Sequence, residues 1–479
     1  MTVSLESPAR LREREQVLGL VEPPCPLDRL VNGALDALAA GRRQRTGPLP
    51  AATPAEVARD VDTALGGAVL PDAGIGEDVA LADLVRVVAA GAADPKDPAC
   101  AGHLHCPPLD VAVAADMVAS ALNQSLDSWD QAPAATVLEE RVIEALGTLV
   151  GLPGAAGVIT TGGTASTYTA LLLARDADAA PVRVYSSEIA HFSADRGAQM
   201  LGLGDVVKVP IDEDQRLDVT VLARILAEAP EGERPVVVAT AGTTDFGSID
   251  SLSAIAALVH AHGGWLHVDA AYGGGLLFSD THRHLVDGLE HADTVSLDLH
   301  KLGWQPAAAG VLLTREPALF DPLARRAAYL NPLDDEEHGY TSLLGRSLRT
   351  TRRADVLKIA VSLRALGRRG LGDRVDACLS LARYAAEAVR ARPELELTTE
   401  PVLSTVVFRY AGVDGLAGDE LNGRLRRTLL ASGQAVVGRT EHDGRVRLKL
   451  TLLNPDATER DVDRVLDLVV ATGRAEQAR

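Results

Sequence analysis

Short apolar runs alternate with helical segments between residues 95 and 370, and this alternation limits the folds open to the chain. The runs are rich in β-branched residues and occupy residues 182–185, 206–209, 236–239, 266–268, 294–296 and 310–313. Stretches such as 219–229 and 251–262 carry the helical pattern between them. Runs without a polar face are typical of strands buried on both sides. The pattern therefore predicts βα units on a mostly parallel sheet.

The flanking regions have different sequence patterns. Residues 1–94 carry Ala, Leu, Asp and Arg at helical spacing, broken by Pro- and Gly-containing stretches at 46–50 and 70–74, which predicts a helical segment. Residues 371–479 begin with a long helical pattern and contain two strand-like runs, so they predict a smaller α+β domain. The expected division is 1–94, 95–370 and 371–479.

Composition excludes several classes of protein. The chain has 479 residues, of which 47% are hydrophobic and 24% charged, as expected of a folded soluble protein. A net charge of −19 argues against nucleic acid or an anionic membrane as partner. The four cysteines are scattered, so neither a disulfide framework nor a bound metal is expected. With no signal peptide or membrane span visible, the expected location is the cytoplasm.

Lys301 and Asp269 carry the strongest chemical signal. The chain has only five lysines, and Lys301 directly follows a strand-like run and His300. Asp269 ends another run that reads as a buried parallel strand. Pyridoxal phosphate requires a lysine that binds its aldehyde carbon and an acid that keeps its pyridine nitrogen protonated. The alternative is a buried Asp–Lys ion pair, which is costly to desolvate.

Three further features fit the same cofactor. Gly163 and Thr164 lie in a Gly- and Thr-rich turn before a helical stretch, where free N–H groups can bind phosphate. The alternative is a simple helix cap. His191 can stack on the pyridine ring or serve as an ordinary turn histidine. Thr244 can bond the ring hydroxyl or the phosphate, or cap a loop.

Taken together, these motifs resemble one family. Residues 161–164, His191, 242–244, 267–272 and 298–301 are similar to those of the group II pyridoxal-phosphate amino-acid decarboxylases. That family includes the glutamate, aromatic amino-acid, 2,4-diaminobutyrate and lysine decarboxylases. The resemblance runs from about residue 94 to 358. It implies an α/β protein of fold type I, with a mixed, mostly parallel seven-stranded sheet flanked by helices, a small C-terminal α+β domain and an N-terminal helical segment.

The resemblance also implies roles for single residues. Lys301 is the lysine that carries the cofactor, Asp269 the partner of the pyridinium, His191 the stacking group, and Ala271 packs beneath the ring. The phosphate is then held by Gly163, Thr164 and His300.

One position departs from the family. Many relatives have Asn or Ser where this chain has Asp298. A carboxylate close to a phosphate is unfavourable, so we expect Asp298 to point elsewhere.

The loop at residues 330–340 has the polar, Pro- and Gly-containing composition of a lid. Tyr340 is the first candidate for the acid that protonates Cα, and His338 is the second. The alternative is an ordinary surface aromatic. Arg352 matches the family arginine that receives the substrate carboxylate, a task suited to a bidentate guanidinium.

Substrate preference depends on two segments, 100–106 and 123–133, that correspond to the family's pocket. They lack the Gln-Leu-Ser-Thr stretch of glutamate decarboxylases and the Tyr and Phe of aromatic-acid enzymes. Their pattern favours a basic or diamino acid: 2,4-diaminobutyrate, lysine or ornithine. His105 and Cys106 are expected to contact the substrate, and Asp127 to pair with its distal ammonium. Asp127 can instead cap a helix or pair with an arginine.

Other functions remain open at this point. The same cofactor could serve an aromatic or acidic substrate, transamination, or decarboxylation-dependent oxidation. A catalytically inactive scaffold is a third possibility, but the presence of both Asp269 and Lys301 argues against it. The family relationship also implies a symmetric homodimer with the N-terminal helices swapped over the partner.

Overall fold

The computed structural model describes residues 26–413 and 415–478. Contacts between Cα atoms divide the chain into one unit of Met1–Ala93 with Leu430–Gln434 and a second of Asp94–Leu429 with Ala435–Arg479. The described part of the first unit contains helices α1 (Pro26–Arg42), α2 (Pro54–Leu65) and α3 (Glu77–Gly91). Helix α2 begins with a capping box between Thr53 and Glu56, which satisfies two N–H groups at its start.

A seven-stranded sheet forms the centre of the second unit. Its strands are β2 (Ala156–Thr160), β3 (Val182–Ser187), β4 (Val207–Val209), β5 (Arg234–Thr240), β6 (Trp265–Ala270), β7 (Thr294–Asp298) and β8 (Gly310–Thr314), with β1 (Cys100–Ala101) outside this sheet. Their order is β2–β8–β7–β6–β5–β3–β4, and β8 runs antiparallel to both of its neighbours while the other pairs are parallel. The predicted α/β class with a mostly parallel sheet is confirmed.

The central strands are buried throughout because both faces of the sheet are covered. Every residue of β2, β6, β7 and β8 is buried. The helices that follow in the chain are α4 (Asp110–Leu122), α5 (Pro133–Val150), α6 (Gly163–Asp176), α7 (Ser193–Leu201), α8 (Val219–Ala227), α9 (Leu252–Ala261), α10 (Leu333–Glu337) and α11 (Val356–Arg390). This accounts for the alternation of apolar runs and helical stretches in the sequence.

A second, five-stranded sheet contains β1 together with β9 (Leu395–Leu397), β10 (Thr405–Tyr410), β11 (Val436–His442) and β12 (Arg445–Thr451). Its order is β1–β11–β12–β10–β9. Helices α12 (Gly415–Ala431) and α13 (Glu459–Gln477) complete the C-terminal part. Among the described residues, no helix combines the length and apolarity needed to cross a membrane.

The direction of the strands defines one edge of the large sheet as the place for a ligand. Strands β2, β3, β5, β6 and β7 all run the same way. Their carboxyl ends therefore meet at a common edge. In sheets of this kind, ligands bind outside the carboxyl ends of the strands.

Candidate active site

A cavity of about 260 Å³ lies at this edge of the sheet. It is lined by Thr161, Gly162, Gly163, Thr164, Ala165, His191, Thr240, Gly242, Thr244, Asp269, Ala271, Tyr272, Asp298, His300 and Lys301. Every residue expected to hold the cofactor is in this set: Gly163, Thr164, His191, Thr244, Asp269, Ala271, His300 and Lys301. The structure thus gathers side chains from segments that lie far apart in the sequence.

Asp269 stands at the end of β6 with its carboxylate fixed by two donors. Its Oδ1 accepts hydrogen bonds from the Ala271 N–H at 3.1 Å and from the Ser296 hydroxyl at 3.1 Å. Ser296 lies directly opposite Asp269 in the β6–β7 register, so the strand pairing itself supplies this contact. The carboxylate therefore has one defined orientation at the wall of the cavity.

Behind Asp269, His267 is fully buried on the same face of β6, two residues earlier. Its Nδ1 lies 3.0 Å from the Thr294 hydroxyl. Burial lowers the pKa of His267 to about 4, although the charge of Asp269 opposes the shift. The imidazole is therefore neutral at pH 7.

The turn before α6 provides a concave set of backbone donors. Gly162 has φ = 147°, a backbone conformation that favours glycine. A methyl group on Gly163 would lie 2.9 Å from the Ala271 Cβ and 3.7 Å from Asp269 Oδ1, so only glycine keeps this space open. The first N–H groups of α6 have no acceptor within the helix, and the helix dipole favours an anion there. The turn suits a phosphate.

Asp298 and Lys301 form an ion pair inside the cavity. Lys301 Nζ lies 3.1 Å from Asp298 Oδ2, and His300 Nε2 lies 3.5 Å from the same oxygen. The expectation that Asp298 points elsewhere is therefore wrong. The reason is the two-residue period of β7, which puts Asp298 on the same face as Ser296, the partner of Asp269.

Two histidines present neutral rings to the cavity. His191 Nδ1 accepts the Ser193 N–H at 3.2 Å, and His300 Nδ1 accepts the Ala309 N–H at 3.3 Å. In a neutral ring the proton then belongs to Nε2. Burial lowers the pKa of both histidines, as the largest influence on each.

The proposed proton donors lie elsewhere in the described structure. Tyr340 is 50% exposed and packs edge-on against Trp129 with ring centroids 6.2 Å apart. His338 is exposed, and its Nδ1 lies 2.7 Å from the backbone oxygen of Asp334. Neither residue lines the cavity of its own chain.

The placement of Arg352 corrects an expectation. Its side chain is 2% exposed, and its Nη1 lies 2.8 Å from Glu139 Oε1 and 3.0 Å from Oε2. It is absent from the cavity lining. A buried carboxylate needs a counter-ion, and here Glu139 pairs with Nη1 of Arg352, while the buried Nη2 has no hydrogen-bond partner within the described residues. The assignment of Arg352 to the substrate carboxylate is not supported by this geometry.

The other three residues expected to contact substrate are also outside the lining. Asp127 is buried, and its Oδ1 accepts a hydrogen bond from Gln131 Nε2 at 2.9 Å. The Cys106 thiol is buried and donates to the backbone oxygen of His300 at 3.2 Å; burial raises its pKa to about 12. His105 is exposed. Cys106 thus contacts the backbone of a lining residue from outside the cavity.

Several lining residues had no assigned role in the sequence analysis. Tyr272 is buried and its hydroxyl lies 2.9 Å from the Ser404 hydroxyl; burial raises its pKa to about 12, so the phenol is neutral. Asp298 could have been found from the sequence, since it lies at the carboxyl end of a strand-like run, as Asp269 does. The others were Thr161, Gly162, Ala165, Thr240 and Gly242.

The lining fits pyridoxal phosphate. A Cβ on Gly163 would fill the turn, so the glycine leaves room there for a phosphate. An oriented carboxylate, a lysine amine and a neutral imidazole surround the same space. The buried Asp298 Oδ1 has no hydrogen-bond partner within the described chain, which marks a polar contact left for a ligand.

Comparison with known proteins agrees with a pyridoxal-phosphate site. The model of the pyridoxal-dependent decarboxylase conserved domain matches residues 68–411. An L-2,4-diaminobutyrate decarboxylase of Rhizobium meliloti (strain 1021) is 48% identical over 85% of this chain and 84% of its own. A protein of the same name from Acinetobacter baumannii is 38% identical over 77% of this chain and 78% of its own.

Solved structures give the same result. The glutamate decarboxylase domain of diaminobutyrate-pyruvate transaminase and L-2,4-diaminobutyrate decarboxylase from Vibrio parahaemolyticus has a TM-score of 0.84 at 33% identity, covering 94% of this chain and 96% of that one. Mouse CSAD has a TM-score of 0.85 at 28% identity, covering 94% and 99%. The expected fold type, cofactor and enzyme class are confirmed. The chain belongs to the pyridoxal-dependent decarboxylase family and is a pyridoxal-phosphate-dependent amino-acid carboxy-lyase.

Proposed function

We propose that the substrate is L-2,4-diaminobutyrate, which the enzyme converts to 1,3-diaminopropane and CO₂. The observation that carries this proposal is the 48% identity, over 85% of the chain, to a relative that bears the name of this activity. Lysine and ornithine, with longer side chains, are the competing diamino acids.

The cofactor supplies an electron sink for the carbanion left when CO₂ departs. We assign Asp269 to hold the proton of the pyridine nitrogen, because its carboxylate is oriented by two donors at the cavity wall. We assign His191 to stack on the ring, since its imidazole is neutral and lines the same cavity. Lys301 supplies the amine that binds the cofactor.

The remaining contacts follow from the α6 turn. We propose that the N–H groups of Gly163 and Thr164 and the Nε2–H of His300 bind the phosphate. Thr244 lies in the lining and is a candidate for the ring hydroxyl. Ala271 packs under the ring from the position next to the Gly163 backbone. These groups bind and orient, so they raise the fraction of cofactor held in a productive position.

We propose that the enzyme acts as a cytoplasmic homodimer. Tyr340 remains our candidate for the acid that protonates Cα: its loop is exposed and so is available to the cavity of a partner subunit. The substrate proposal does not depend on His105, Cys106 or Asp127.

A panel of amino acids tests the proposal. The cofactor-loaded enzyme is incubated separately with 2,4-diaminobutyrate, ornithine, lysine, glutamate and an aromatic amino acid, and CO₂ and amines are measured. We expect the highest kcat/KM for 2,4-diaminobutyrate, with 1,3-diaminopropane and CO₂ formed in equal amounts. A higher value for another substrate would overturn the proposal. Formation of a keto acid, or of aldehyde and peroxide, would instead identify transamination or oxidation.

A second test is Lys301→Ala, which removes the amine. We expect it to lose both turnover and the absorbance band of the covalently bound cofactor. A variant that keeps turnover would show that Lys301 is not the cofactor lysine.

A further inference from the structure

Asp298 puts a buried carboxylate between the cofactor lysine and the proposed phosphate turn. The residue is 6% exposed, and its Oδ2 lies 3.1 Å from Lys301 Nζ. A methyl group on Gly163 would lie 3.4 Å from Oδ2, and one on Gly162 would lie 3.6 Å from Oδ1. The carboxylate therefore adjoins both the amine and the turn.

The charges around Asp298 come from four segments. Lys301 and His300 lie on its own segment, within 3.1 and 3.5 Å of Oδ2. Asp269 on β6 and His191 before α7 line the same cavity, and the α6 turn contributes backbone dipoles only. In the chain without cofactor, the Lys301 ammonium is thus the counter-ion of Asp298.

Binding of the cofactor removes this counter-ion and adds a negative group. Lys301 must lose its ammonium charge before its nitrogen can attack an aldehyde, and a phosphate at Gly162 and Gly163 would then lie beside the carboxylate. Two negative groups in a desolvated site repel each other strongly. One of them has to be neutralised.

We propose that Asp298 takes the proton that Lys301 gives up and remains a neutral acid while the cofactor is bound. One N–H bond of the ammonium breaks, and its proton passes to the carboxylate. A C=N bond then forms between Nζ and the aldehyde carbon, and the two remaining nitrogen protons leave with the aldehyde oxygen as water. No proton is released to solvent in this step.

The geometry supplies a use for the neutral acid. Asp298 Oδ1 has no hydrogen-bond partner within the described residues and faces the turn. As a protonated acid it presents an O–H donor to a phosphate oxygen. The other oxygen, Oδ2, lies 3.1 Å from Lys301 Nζ and 3.5 Å from His300 Nε2. Asp298 is therefore a positioning and proton-holding residue, which explains how an acid is tolerated beside the phosphate.

Proton counting tests this inference without any substrate, so its failure is separate from failure of the diaminobutyrate proposal. The cofactor-free enzyme is titrated with pyridoxal phosphate by calorimetry in two buffers of different ionisation enthalpy, at about pH 8, where a phosphate monoester is a dianion. Asp298→Asn keeps the shape and offers an N–H donor, but it cannot take the proton. We expect this variant to release about one proton more per site than the wild type.

Asp195→Asn is the matched control. Asp195 Oδ2 also pairs with a lysine, Lys208 Nζ at 2.8 Å, but outside the cavity lining. It should give the wild-type proton count. Equal counts for Asp298→Asn and the wild type would overturn the inference. Should Asp298→Asn fail to fold, Asp298→Ser provides an uncharged hydroxyl. It should also release about one proton more per site than the wild type, and a count equal to that of the wild type would overturn the inference.

Discussion

Arg352 and Glu139 form a buried ion pair that ties three segments together. Arg352 Nη1 lies 2.8 Å from Glu139 Oε1, and both side chains are 2% exposed. The same Oε1 accepts the Ile159 N–H at 3.1 Å, next to the last residue of β2. The pair thus joins α5 and the segment before α11 to the strand that leads into the phosphate turn.

Loss of one partner should destabilise the protein strongly. In Glu139→Gln the guanidinium of Arg352 stays buried without a counter-ion, so the free energy of unfolding should fall by about 3–5 kcal/mol. Denaturant unfolding measures it. The neighbouring Glu140 pairs with Arg346 at 3.6 Å near the surface, and Glu140→Gln should cost no more than about 1 kcal/mol. Similar losses in the two variants would show that the buried Arg352–Glu139 pair stabilises the protein no more than a pair near the surface.

The sequence predicted the layers of the fold but not every strand direction. The apolar runs at 266–268, 294–296 and 310–313 lie within β6, β7 and β8. The antiparallel direction of β8 was not predicted, because an apolar run buried on both faces reads the same in either direction. Strand order likewise depends on contacts between distant segments.

The same limit applies to the site. Residues whose role depends on their own position at a strand end, such as Asp269 and Lys301, were assigned to one site and do line one cavity. Arg352 and Asp127 were assigned to substrate from the family resemblance, whereas in the structure each is hydrogen-bonded to another side chain, Glu139 and Gln131. The partner of Arg352 stands 213 residues earlier in the chain, where no local pattern indicates it.

Asp269→Asn tests the electrostatic role of the oriented carboxylate. The amide keeps the shape but cannot hold the pyridinium charge, so kcat should fall by about 10²–10³. Steady-state kinetics with the preferred amino acid measures it. Ser296→Ala removes only one of the two donors to Oδ1 and should cost far less. Asp269→Asn with wild-type kcat would exclude the assigned role.

Gly163→Ala tests the phosphate cradle. The added Cβ would lie 2.9 Å from the Ala271 Cβ, so it should occupy the space of the ligand and weaken cofactor binding by about 10-fold or more, or roughly 1.4 kcal/mol. Titration of the cofactor-free enzyme followed by absorbance gives the affinity. Gly33→Ala in α1, where nothing lies within 4 Å of the new methyl, should leave it unchanged. Unaltered affinity in Gly163→Ala would place the phosphate elsewhere.

His267 should make stability fall on mild acidification. Its pKa drops from 6.5 to about 4 on burial, so the folded state binds fewer protons than the unfolded state in that interval. The contribution of neutral His267 to the free energy of unfolding is fully present above about pH 6.5. It is lost as the pH falls toward 4, by at most about 3 kcal/mol. Melting temperatures of wild type and His267→Gln at pH 7 and pH 5 test it: the loss should be smaller in the variant. An equal loss in both would assign the acid sensitivity to other groups.

The antiparallel strand β8 has a consequence for how the protein matures. Within the part of the chain that the structure describes, strand β2, which leads into the Gly163 turn, is hydrogen-bonded in the sheet to β8 alone, and β8 separates it from β7. On the ribosome, β2 emerges about 150 residues before Gly310–Thr314. Strand β2 therefore cannot take its place in the sheet until translation has passed residue 314, and we expect the cofactor to bind only after that point.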